Sequence, residues 1–311
     1  MNTRRRRRKK QNPTVILFAL LIFTLMLGTV FLLLSLEISS GAGEPEPVTE
    51  NIRAIAPTEN VPAENLVETL DIRLTAAYTT DIFDTGYLAL VNRQHGIANE
   101  PDPGVLVPAW PTVPVSTTIG MYLHPTALNA VAEMFDSARE ADIGSFFVSS
   151  GFRSYELQAE LYGDGSNSAF VLPPGFSEHQ TGLAVDIMAL GIGQWELANS
   201  PQGQWLANNS WRYGLILRYP EGATHITGIA FEPWHFRYVG KIHAYYMWRH
   251  NLVLEQYIER LQTLGSITIE KNGQTHLVLS QTAENGMINL PDGAIASGDN
   301  MGGVIIWSIL S

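Results

Sequence analysis

The chain has 311 residues, no cysteine and a formal net charge of −11, with 45% hydrophobic and 16% charged residues. That length and composition suit one sizeable globular domain with a smaller companion and exclude a largely disordered chain. Without cysteine there is no disulfide, and any metal site has to be built from histidine and carboxylate.

The charge is unevenly placed. Arg4 to Arg8, Lys9 and Lys10 precede TVILFALLIFTLMLGTVFLLLSL, residues 14–36, which carry no charge. A run of that length matches the thickness of a bilayer. The positive-inside rule then puts segment 1–13 in the cytoplasm and everything after Glu37 outside. A single-pass anchor is expected; the rival is a cleaved signal peptide, whose apolar core is ordinarily about 7 to 15 residues. The external part carries 12 basic against 30 acidic residues, a formal charge of −18. Nucleic acid is thereby excluded as a natural partner, since phosphate binding depends on Lys and Arg.

Residues 39–66 are rich in Pro, Glu, Ser and Ala, so 37–73 read as a stalk or linker. A main domain is expected over 74–263, with GYLALVNR (86–93) as its first strand. Leu128, Val131, Phe135 and Ala138 recur at helical spacing, which predicts a helix over 125–141 with Pro125 in its first turn. FFVSSGF (146–152) reads as a strand, YELQAELY as a short helix capped by Ser154, and residues 165–182 as a long functional loop leading into the strand LAVDIMAL. A Ser-Pro start predicts a helix over 200–209; GLILRYP and FEPWHFRYV follow as strands, and 240–263 as helix broken near Asn251. The Asn-Gly pair in SITIEKNGQTHLVLS signals a hairpin, opening a small β appendage over 264–311.

Two stretches carry unusual chemistry. FEPWHFRY places Glu232 and His235 among aromatics, where a buried charge is costly unless paired or bound to a metal. SEHQTGLAVD places His179 in a loop and Asp186 seven residues later in a strand, and a turn at Gly182 would bring the two together. With His235 they form a two-imidazole, one-carboxylate set that leaves a fourth position of a tetrahedral Zn²⁺ open, as in catalytic sites. Pro233 favours an irregular strand edge that would turn Glu232 toward the same ion, where a carboxylate outside the ligand set would shuttle a proton from water to a leaving amine. His225, in EGATHITG, is the one further histidine close in sequence to this set; the remaining histidines have no partner pattern.

SGFRS with the downstream Gln158, SEHQTGLAVD and EPWHFRY, in that order, resemble the zinc carboxypeptidases of the VanY type, relatives of the VanX dipeptidases. The likeness spans about residues 84 to 240. It implies zinc on His179, Asp186 and His235, Glu232 as general base, and Arg153 facing the substrate to polarise the scissile carbonyl or hold a carboxylate. It further implies that Ser177 and Gln158 lie near the substrate.

Trp234 and Phe236 are expected to pack rather than to stack on substrate. The expected fold is α+β: a mainly antiparallel sheet with the metal on one face and helices on the other, an N-terminal transmembrane helix and a small C-terminal β appendage. The expected function is a membrane-anchored extracellular D,D-carboxypeptidase acting on peptidoglycan stem peptides. The rivals are an L,D-carboxypeptidase or endopeptidase of the same fold, and a non-enzymatic zinc-containing wall-binding module.

Overall fold

The computed structural model describes residues 74–78, 86–284 and 287–310. The expected cytoplasmic segment 1–13, anchor 14–36 and stalk 37–73 lie outside them. Among the described residues no helix is long and apolar enough to cross a membrane.

The strands are β1 (Leu74–Tyr78), β2 (Val107–Pro108), β3 (Tyr122–Leu123), β4 (Phe146–Ser150), β5 (Ala184–Ala189), β6 (Leu215–Leu217), β7 (His235–Tyr238), β8 (Ser266–Lys271), β9 (Gln274–Thr282), β10 (Met287–Pro291), β11 (Ile295–Gly298) and β12 (Gly303–Ile309). The main helices are α1 (Pro125–Glu140), α2 (Tyr155–Tyr162), α3 (Pro201–Asn209), α4 (Lys241–His250) and α5 (Leu254–Leu264). Every strand pair is antiparallel, in two four-stranded sheets ordered β4-β5-β7-β6 and β11-β12-β9-β8, with β1-β10 and β2-β3 as two-stranded ribbons.

Local chemistry explains the helix ends. Pro125 and Pro201 occupy first helical positions, where a missing N–H costs nothing. The hydroxyls of Ser154 and Ser200 accept from the backbone N–H of Leu157 and Gly203. Asn251 takes a left-handed conformation (φ 51°) and divides α4 from α5, the break expected there.

The first sheet is sorted by the two-residue period of a strand. Val185, Ile187 and Ala189 of β5, with Phe236 and Tyr238 of β7, enter a core with Leu128, Val131, Met134 and Phe135 of α1 and Leu206 of α3. Asp186, His235 and Arg237 therefore face the other side. The second sheet is sorted likewise. Ile267, Ile269, Val278 and Ile305 pack on α4 and α5, while Leu277, Leu279, Val304 and Ile306 join Ile288 of β10 on the opposite face.

Two expectations change. Residues 86–93 form turns and extended chain rather than a strand, although Leu88, Leu90 and Val91 are buried. Their backbone groups are satisfied elsewhere: the N–H groups of Leu88 and Leu90 donate to Ser297 Oγ and Asp299 O, and the carbonyls of Tyr87 and Ala89 accept from the Arg237 guanidinium. The second change is that one dominant sheet becomes two of equal strand number, and the C-terminal strands share a core with α4 and α5.

Candidate metal centre

β5 and β7 set the site. Their register places Asp186 directly opposite His235, and Ser150 of β4 opposite Asp186 on the other side, next to an irregularity in β4. His179 arrives from the 3-10 turn Glu178–Thr181, which ends at Gly182 with φ 71°. That backbone conformation favours glycine, and it folds the loop back so that His179 meets the sheet.

The three side chains converge: one ligand atom from each of His179, Asp186 and His235 lies within 4.8 Å of the others. His179 Nε2 is 3.4 Å and His235 Nδ1 3.1 Å from Asp186 Oδ1. Ligands about 2.1 Å from a tetrahedral zinc stand roughly 3.4 Å apart, so these separations suit a shared ion. His179 Nδ1 lies 2.7 Å from the carbonyl oxygen of Gly151, which only accepts, so Nδ1 carries the proton and Nε2 keeps its lone pair. That Nε2 is buried without a hydrogen-bond partner. An orphaned acceptor aimed at a carboxylate and a second imidazole fits a cation site.

The electrostatics agree. Burial, followed by the Arg153 charge, lowers the His179 pKa to about 4, which keeps the ring neutral at physiological pH. Burial opposes ionisation of Asp186, but the charges and hydrogen bonds of the two imidazoles outweigh it and hold the carboxyl below the usual range. Burial would also lower the His235 pKa, yet the hydrogen bonds and charges of Asp186 and Glu178, with Glu232 behind them, push it up to about 9. Three carboxylates thus create a field that favours positive charge at this point.

Glu232 lies in the turn before β7, its N–H bonded to Tyr219 O and its own carbonyl to the N–H of His235. The irregular backbone expected at Pro233 brings Glu232 Oε2 to 3.7 Å from His235 Nδ1. Burial pushes its carboxyl up to about 7; Asp186 adds to the rise, while His235 and Arg153 oppose it. Arg153 donates from Nη1 to Gln158 Oε1 at 2.9 Å, and its Nη2 is 3.8 Å from Asp186 Oδ2.

A cavity of about 310 Å³ collects Arg153, Gln158, Ser177, His179, Asp186, Glu232 and His235, all seven residues expected at the site. Gln158 is fully buried, and its Nε2 donates to Leu172 O at 2.6 Å. Both ends of its amide are therefore engaged, and it holds Arg153. His225 is exposed, with Nδ1 3.0 Å from Gly222 O, and stands outside the cluster. Phe236 is wholly in the core, whereas Trp234 lines the cavity and meets Trp195 edge to face at 4.8 Å.

Sequence reasoning missed Glu178, Tyr219, Phe170 and Trp195, which line the same cavity. Glu178 had a readable signal: Arg218 and Arg237 sit in apolar strand sequences and need a buried counter-charge.

Comparison with known proteins agrees with this geometry. The family model described as VanY, D-alanyl-D-alanine carboxypeptidase, matches residues 120–241. The bifunctional D-Ala-D-Ala dipeptidase and carboxypeptidase VanXYC of Enterococcus gallinarum is 33% identical over 190 residues, 56% of this chain and 94% of that protein. The chain belongs to the VanY family. A D-alanyl-D-alanine carboxypeptidase of Enterococcus faecium is 35% identical over 189 residues, 60% of this VanY-family chain, which spans 61% of that relative's length. Among solved structures, the vancomycin-resistance D,D-dipeptidase VanXYg, in complex with a D-Ala-D-Ala phosphinate analogue, aligns with TM-score 0.64 and 26% identity, covering 76% of this chain and 98% of that one. The LD-carboxypeptidase LdcB aligns with TM-score 0.51 and 35% identity, covering 57% and 87%.

Proposed function

We propose that this VanY-family chain is a membrane-anchored zinc carboxypeptidase that removes the terminal D-alanine from peptidoglycan stem peptides outside the cell. The observation that carries the reading is the convergence of His179, Asp186 and His235 beside a buried carboxylate that is not needed as a ligand, Glu232. Zinc held by the three side chains supplies Lewis acidity toward the scissile carbonyl and the attacking water.

Glu232 takes a proton from that water and delivers it to the amine of the departing D-alanine. Arg153, held by Gln158, offers a permanent forked cation to the carbonyl oxygen as it gains charge, or to the terminal carboxylate of the substrate. Ser177 borders the space that the peptide end would occupy. The seven basic residues ahead of the apolar run 14–36 support an anchor with the site outside, where stem peptides are found.

A second reading, L,D-carboxypeptidase, draws on the likeness to LdcB. D-Alanine release by the zinc-loaded protein from penta- and tetrapeptide stems separates the two. Release from the pentapeptide supports the D,D reading, and release from the tetrapeptide alone supports the L,D reading. No release from either contradicts the carboxypeptidase. The Glu232→Gln variant should keep its zinc while losing about 10²- to 10⁴-fold in turnover; an unimpaired variant would remove Glu232 from the mechanism.

A further inference from the structure

Glu178 is fully buried next to a metal-ligand candidate, and the proton shuttle described above does not use it. Its Oε1 accepts from Arg218 Nε at 2.8 Å and from Arg237 Nη1 at 2.8 Å, both guanidinium groups being wholly inaccessible. Its other oxygen, Oε2, lies 3.5 Å from His235 Nε2, and neither of these two buried atoms has any other partner. The opposite ring nitrogen, Nδ1, faces Asp186 and Glu232.

We propose that Glu178 is a positioning residue for His235: it receives the Nε2 proton, fixes the ring plane, and so presents the Nδ1 lone pair to the metal. This rests on the metallopeptidase reading of the site. A buried carboxylate with no cationic partner would be unstable there, and the two arginines supply that partner. They are themselves held from outside the site. Arg218 makes a two-pronged pair with Glu255 of α5, at 2.9 and 2.7 Å. Arg237 donates to the carbonyls of Tyr87 and Ala89, a segment tied to β11 and the turn after it through Ser297 and Asp299. The two arginines that partner Glu178 are thereby tied to α5 and, through residues 87–90, to the end of β11. A partner on the far nitrogen of a ligating imidazole ordinarily changes metal affinity by about 10- to 100-fold.

The test compares zinc affinity, by competition with a chelator, in the full wild-type chain, Glu178→Gln and Glu255→Gln. Glu178→Gln should bind zinc about 10- to 100-fold more weakly, whereas Glu255→Gln, which touches the network but not His235, should stay within about threefold of wild type. Equal affinity in wild type and Glu178→Gln overturns the positioning role. Absence of zinc binding in the wild type overturns the metal reading itself. Should Glu178→Gln fail to fold, ¹⁵N-histidine spectra of the zinc-loaded wild type decide. Zinc on Nδ1 of His235 with a proton on Nε2 supports the proposal, and zinc on Nε2 refutes it.

Discussion

At the scale of single residues, the site divides its polar groups between holding and acting. Gln158 holds: its amide is spent between Leu172 O and Arg153 Nη1, and it leaves the guanidinium facing the cavity. Gln158→Leu keeps most of the volume and removes both hydrogen bonds, so Arg153 is no longer aimed. The expected result is a drop in kcat/KM of about 10- to 100-fold, of the order of one or two lost charge-assisted bonds, with zinc content unchanged. Steady-state kinetics beside metal analysis checks it. Histidines 179 and 235, Asp186 and Glu232 were legible in the sequence because each is a charge or imidazole in an apolar or glycine-flanked setting with no local partner. Glu178 was legible only indirectly, through the need of Arg218 and Arg237 for a buried counter-charge, since those partners lie 40 and 59 residues away. Weighing each charge alone hides a buried triad whose members are scattered along the chain.

Elements obey their end signals closely, and departures have local causes. The helix over 125–141, the capped helix after Ser154, the Ser-Pro start of α3 and the break at Asn251 were all readable from capping chemistry and spacing. The segment 86–93 reads as a strand by composition, because burial of its leucines is all that composition reports. Among the described residues it pairs with no strand in a ladder, and its carbonyls accept from a guanidinium instead. α3 carries a sharper constraint. A Cβ at Gly203 would fall 1.8 Å from Leu197 O, a backbone atom that cannot yield without moving the preceding turn. Gly203→Ala should therefore cost about 3 kcal/mol or more despite the better helix propensity of alanine. In a thermal melt that is roughly 6 to 12 °C; a melting point equal to or above wild type would show that the 3-10 turn Glu196–Asn199 shifts freely.

On the scale of the whole folded unit, a second core joins α4 and α5 to the C-terminal sheet, and His243 sits inside it. Its Nδ1 is 2.6 Å from Tyr257 OH, and its ring meets Trp307 of β12 edge to face at 4.5 Å. Burial, with a smaller push from His276, lowers its pKa to about 3. The folded value lies below the ordinary 6.5, so between those limits the unfolded chain binds a proton that the folded chain refuses. Stability should accordingly fall as pH drops from about 6.5 toward 3, by about 1.4 kcal/mol per pH unit from this residue. Denaturant melts across that range should show a shallower dependence in His243→Gln by close to one proton. Identical slopes would mean that His243 ionises within the fold. That the last strands complete a core with two helices was not visible in their sequence, where alternation declares a two-faced sheet without saying what covers each face.

The proposed function depends on one cation shared by His179, Asp186 and His235. The most direct measurement is anomalous diffraction at the zinc edge from crystals of the zinc-loaded protein. One strong peak about 2.0 to 2.2 Å from His179 Nε2, an Asp186 carboxylate oxygen and His235 Nδ1 is the expected result. A peak on other residues, or none at full zinc saturation, would contradict the account.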